Sequence, residues 1–160
     1  MNDINKSDLM NYFLDFSVEV TGFSLFHLQG TGQVDLYFET IWSMIGGKMF
    51  QELLLTFNKD QDVENILASD KLGLIAGNII KLWYTATWYK LPKWYIKQFA
   101  STSTILHNHS SFIPNPYAYT EGLLWPAIGV HPRAAKAPGY ATWSQDPKVI
   151  SSELSFHNPE

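Results

Sequence analysis

The sequence predicts an all-α protein: a compact domain of about five to six helices with a long, largely irregular C-terminal arm. Apolar residues recur at the spacing of an amphipathic helix through most of residues 7–86. Glycines at Gly22 and Gly46-Gly47 close the periodic runs, where the left-handed backbone that ends a helix costs least. Beyond Pro126 the pattern disappears among Pro132, Pro138, Pro147 and Pro159, with Gly129 and Gly139 between them. The expected division is therefore residues 1–125 as a helical domain and residues 126–160 as an irregular arm that packs on a partner.

In chain order, Leu9, Phe13, Phe16 and Val20 share one face of a helix from Ser7 to Val20, with Asp8, Asn11, Asp15 and Glu19 opposite. Val34, Phe38, Ile41 and Ile45 mark a second helix from about Gln33 to Ile45. Residues 49–57 and 61–68 form two short helical candidates. Ser69 or Asp70 caps the longest helix, in which Leu72, Ile75, Ala76, Ile79, Trp83 and Ala86 lie on one side. Further apolar groups at Leu74, Ile80, Leu82 and Tyr84 make this helix hydrophobic nearly all round, which places it at the centre of the domain, with Pro92 as its latest end. Residues 99–116, rich in Ser, Thr, Asn, His and Pro, read as a surface loop. Asn115-Pro116 then supplies a cap and a first-turn proline for a short helix from Tyr117 to Trp125.

Composition narrows the function. Charged residues make up 16% of the chain, below the roughly 25% typical of soluble domains, so an unusual share of the surface is apolar or aromatic. The 11 Lys and Arg are scattered and the net charge is −4, which predicts no basic stripe for phosphates or anionic lipid and no nucleic-acid partner. With no Cys, the chain itself has no disulfide, zinc–thiolate site, iron–sulfur ligation or covalently attached haem, and no cofactor of its own is expected. The opening MNDINKSDLM shows neither an export signal nor a twin arginine, so a cytoplasmic location is expected unless an exported partner carries the chain to the periplasm. The apolar stretch from Leu72 to Trp88 is broken by Asn78 and Lys81 and falls short of a membrane span.

Few residues suggest chemistry. His107, His109 and His131 with Glu121 compose, on paper, a three-ligand metal site with a general base, but they lack the helical His-Glu-x-x-His arrangement. Glu121, among Tyr117, Tyr119 and Trp125, has the setting of an acid in an apolar pocket and equally that of a structural carboxylate. No phosphate-binding glycine loop and no G-x-S-x-G elbow occurs. The aromatic residues are the stronger signal. Trp83-Tyr84, Trp88-Tyr89 and Trp94-Tyr95 form three pairs within 13 residues, and neighbours on a helix diverge by about 100°, so some of these rings must reach the surface. Exposed Trp and Tyr are characteristic of protein interfaces.

Four blocks carry a resemblance to a known family: Phe13-Leu14-Asp15-Phe16-Ser17-Val18-Glu19-Val20-Thr21-Gly22-Phe23, Ile79-Ile80-Lys81-Leu82-Trp83-Tyr84, Tyr119-Thr120-Glu121-Gly122-Leu123-Leu124-Trp125, and the tail from Gly129-Val130-His131-Pro132 to Pro138-Gly139-Tyr140-Ala141-Thr142-Trp143. In this order they resemble the small subunit of membrane-associated FAD-dependent sugar and polyol dehydrogenases, the sorbitol dehydrogenase type above all. The resemblance implies a chaperone-like accessory subunit that stabilises a large subunit of the glucose-methanol-choline oxidoreductase type. The large subunit holds FAD and carries out the oxidation. Family members with a twin-arginine signal help export that partner; this sequence departs from them in lacking one.

The expected function is thus a non-enzymatic small subunit that binds a large FAD-dependent alcohol or sugar dehydrogenase, with Trp83, Tyr84, Tyr119, Glu121, Trp125, Pro138, Gly139 and Trp143 as its docking residues. The substrate would belong to the partner. Two rivals stand beside this expectation: a small metal-dependent enzyme using His107, His109, His131 and Glu121, and a free-standing helical module that binds a ligand or peptide.

Overall fold

The computed structural model describes residues 5–99 and 110–132. His107 and His109, and Pro138, Gly139 and Trp143 of the expected arm, lie outside the described residues, as do most of the expected 99–116 loop and the arm from residue 133. The described chain is all-α. Its helices are α1 (Lys6–Thr21), α2 (Leu25–Gly30), α3 (Val34–Ile45), α4 (Gly47–Asp60), α5 (Val63–Ala68), α6 (Gly73–Thr85), α7 (Lys93–Phe99) and α8 (Leu124–Ala127), with a 3₁₀ segment at Pro116–Glu121.

α1 begins where the Asn5 side chain accepts the Asp8 N–H at 2.8 Å and ends where Gly22 turns left-handed, φ +73°, and its N–H donates to the Val18 carbonyl. The predicted face is the buried one: Leu9, Phe13 and Phe16 enter the core, and Ser17 and Thr21 join them by bonding their hydroxyls to the carbonyls of Phe13 and Ser17. Phe13 is the hub of the aromatic core. Its ring meets Phe38 of α3 and Phe50 of α4 edge-on at 5.8 and 5.7 Å, and lies nearly parallel to Trp83 of α6 at 6.1 Å.

α6 is central, as its composition predicts, burying Ile75, Ala76, Asn78, Ile79, Leu82 and Trp83. It ends earlier than Pro92, because Ala86 takes a left-handed conformation, φ +54°, and the chain leaves extended. Trp88 then pairs antiparallel with Phe112 through two backbone hydrogen bonds of 2.9 and 3.0 Å. Pro92 opens α7, accepting the Ile96 N–H at its carbonyl. Gly73 fixes the start of α6: a Cβ there would stand 2.3 Å from the Leu67 carbonyl oxygen, so only glycine lets α5 and α6 approach so closely.

The three Trp-Tyr pairs each divide between core and periphery. Trp83 and Trp88 are buried while Tyr84 is half-buried and Tyr89 exposed; in the third pair Tyr95 is buried and Trp94 exposed. No helix among the described residues is long and apolar enough to cross a membrane.

Candidate functional site

The segment after the Trp88–Phe112 bridge builds the site. Asn115 Oδ1 accepts the Tyr117 N–H at 2.9 Å and Pro116 occupies the first turn, as the dipeptide predicts. One continuous helix from Tyr117 to Trp125 does not form. The 3₁₀ turn stops at Glu121, Gly122 breaks the run, and α8 restarts at Leu124. The cause lies in the contact with α6: a Cβ on Gly122 would lie 2.8 Å from the Tyr84 carbonyl oxygen, the Leu123 N–H donates to the Trp83 carbonyl at 3.0 Å, and the Leu123 side chain is wholly buried.

α8 turns Trp125 back over this segment. Its indole Nε1 donates to the Tyr119 carbonyl at 2.8 Å, and its ring meets that of Tyr119 edge-on at 5.2 Å. Gly129, at φ +69°, lets the chain reverse so that the Val130 N–H reaches the Trp125 carbonyl at 3.0 Å. Between this hook and α2 opens a cavity of about 500 Å³ lined by Phe26, His27, Glu121, Trp125, Val130 and His131 among others. α2 was not foreseen, since six residues with Leu28 alone facing the core make no periodic signal. Its cap is nonetheless local chemistry, Ser24 Oγ accepting the His27 N–H at 3.3 Å.

Glu121 is half-buried, accepts a hydrogen bond from Thr120 Oγ1 at 3.2 Å, and acts electrostatically on Tyr37. Burial first, and the Glu121 charge second, push the Tyr37 hydroxyl well above the usual phenol range. That hydroxyl is buried and finds no hydrogen-bond partner among the described residues.

Of the sequence-predicted docking residues, Glu121 and Trp125 line the cavity, and Tyr119 packs its ring against that of Trp125. Trp83 is a correction: at 1% exposure, held by its Nε1 donating to Ser17 Oγ at 3.0 Å, its ring belongs to the core and has no face to offer a partner. Tyr84 is half-buried and engaged internally, its hydroxyl donating to the Thr21 carbonyl at 2.8 Å. The structure adds Phe26 and His27, which the sequence did not single out. His131 and Glu121 share the cavity, and among the described residues no group of three His, Asp or Glu is placed to hold a metal ion. Compared with known proteins, the chain matches no family model, no curated protein and no solved structure.

Proposed function

We propose that this chain is a non-catalytic subunit that docks onto and stabilises a large FAD-dependent dehydrogenase of the glucose-methanol-choline type, the flavin and the alcohol or sugar substrate belonging to that partner. The supporting observation is the apolar rim of the cavity. Phe26, 87% exposed, and Val130, 47% exposed, line it, and Ile128 and Tyr117 are exposed in the same stretch of chain that builds its wall. Exposed apolar side chains gathered at a concavity are the make-up of a surface that another protein covers. The block Tyr119–Trp125, one of the four that carry the family resemblance, contributes Thr120, Glu121, Gly122 and Trp125 to the wall of this cavity.

The test is co-expression with a flavoprotein dehydrogenase encoded beside this chain. A yellow, flavin-containing complex should co-purify through size exclusion. Separate elution, together with a lone chain that is monodisperse and unfolds cooperatively, would sink the proposal. The cavity itself favours a second reading, a free-standing module for a small ligand or peptide, because its volume lies in the range of ligand sites, roughly 300–1,000 Å³. That reading requires the lone chain to be fully folded and no flavoprotein to accompany it.

A further inference from the structure

The cations of this chain are scattered along the whole sequence but not in one window. Residues 71–120 contain Lys71, Lys81, Lys90, Lys93 and Lys97 and no Asp or Glu, whereas residues 1–70 contain eleven acidic residues against Lys6, Lys48 and Lys59. The fold turns that window into a surface. Lys81, on the exposed side of α6, holds its Nζ 5.3 Å from the ring centre of Tyr89, whose carbonyl is fixed by Asn78 Nδ2 at 2.8 Å. Lys90 follows, its N–H bonded to Ser111 Oγ at 3.0 Å. α7 then presents Lys93 and Lys97 one turn apart with Trp94 beside them, while Tyr95 anchors the opposite face. Trp94 is 54% exposed and Tyr89 39%.

Lys71 is neutralised by Glu52 at the margin, but among the described residues none of Lys81, Lys90, Lys93 and Lys97 has a carboxylate partner. The bulk count therefore conceals a locally basic segment, in which Lys81 reaches Tyr89 and Lys90, Lys93 and Lys97 follow within eight residues of that ring.

We propose that the face made by Lys81, Tyr89, Lys90, Lys93, Trp94 and Lys97 docks peripherally on an anionic lipid bilayer. Charge complementarity calls for an anionic occupant, and the side-chain types select lipid over protein. All four cations are Lys, which protein interfaces disfavour while they favour Arg. Lysines whose stems lie along apolar surface, next to exposed Trp and Tyr, are the composition of the bilayer's interfacial zone. The acidic excess of residues 1–70 is repelled by anionic headgroups, which favours approach through the lysine-bearing segment. The inference does not depend on the flavoprotein partner and is tested on this chain alone.

The full-length chain is sedimented with vesicles of phosphatidylcholine containing phosphatidylglycerol and, in parallel, with pure phosphatidylcholine. Binding should be at least roughly tenfold stronger to the anionic vesicles at low salt and should collapse at about 0.5 M salt. Lys93→Gln with Lys97→Gln, both at exposed positions, should weaken it by roughly tenfold or more with an unchanged far-UV spectrum. Lys48→Gln with Lys59→Gln should leave it unaltered, and Trp94→Ala should abolish quenching of the protein's fluorescence by brominated lipid. Equal binding to both vesicles, or no binding, overturns the proposal. So does an unaffected Lys93/Lys97 double variant, or tighter binding to polyglutamate or duplex DNA than to the vesicles.

Discussion

Ser17 shows how a polar side chain organises an aromatic core. Its hydroxyl donates to the Phe13 carbonyl and accepts the indole N–H of Trp83, 66 residues away, so one atom settles both the local helix and the contact of α1 with α6. Ser17→Ala leaves the indole N–H buried without an acceptor, and chemical denaturation should record a loss of about 1–3 kcal/mol. The sequence assigned Trp83 both to a buried helix and to the docking surface. A Trp in an apolar helix fits either role, and its distant hydroxyl partner decides the matter. Gln61 offers the opposite case. It ends α4 in a left-handed conformation, φ +51°, at the exposed C-cap position where glycine is favoured. Gln61→Gly should raise stability by about 0.5–1 kcal/mol in the same measurement, because it removes a left-handed penalty of roughly 1–2 kcal/mol, offset in part by the greater freedom of glycine in the unfolded chain, and loses only the exposed bond from Nε2 to the Asn58 carbonyl.

Among the elements, α1 and α3 were legible because each repeats its apolar residues over three or more turns and ends at a glycine, whereas α6 was legible by its apolar residues alone, its end being set by a left-handed Ala86 that the sequence did not signal. α2 and α7 were not, since elements of six and seven residues turn too few side chains inward to show a period. The break at Gly122 was hidden for another reason: it is imposed by α6 across the fold, not by the neighbours of Gly122 in the chain. α7 owes its place largely to Tyr95, whose hydroxyl donates to the Lys71 carbonyl beside the Lys71–Glu52 ion pair. Burial, and secondarily the Glu52 charge, push the Tyr95 phenol up to about 12 from an unfolded value near 10. With the folded value the higher one, the stabilisation from the neutral phenol is complete below about pH 10 and is lost as pH rises through about 12. Alkaline titration followed by circular dichroism should show stability falling across that window. Tyr95→Phe should flatten the fall without abolishing it, because Tyr37 is raised in the same direction.

Taken whole, the molecule has two distinct outer regions, an apolar rim around the cavity and a lysine-and-tryptophan face on α6 and α7. The aromatic surplus in the composition pointed to the first, and Tyr119, Glu121 and Trp125 were named from sequence. Phe26 and His27 were missed because their participation depends on α2 folding back against a segment some ninety residues later in the chain. The lysine face was missed because net charge averages over an acidic first half. If the rim is the docking surface, Trp125→Ala should weaken a co-purified flavoprotein complex by roughly 30-fold or more, the effect expected of a central interfacial tryptophan. Since Trp125 is half-buried at the periphery, the thermal midpoint of the lone variant should move by only a few degrees.

The fastening of the hook to α6 has a further consequence. The Leu123 amide is bonded to the Trp83 carbonyl, and Gly122 lies against Tyr84, so the wall of the cavity and the central helix cannot open independently. An occupant that clamps the wall must also slow the openings of the last turn of α6. Deuterium uptake at the amides of Leu82 to Thr85 should therefore drop on complex formation, turning the core of the protein into a reporter of what is held at its surface.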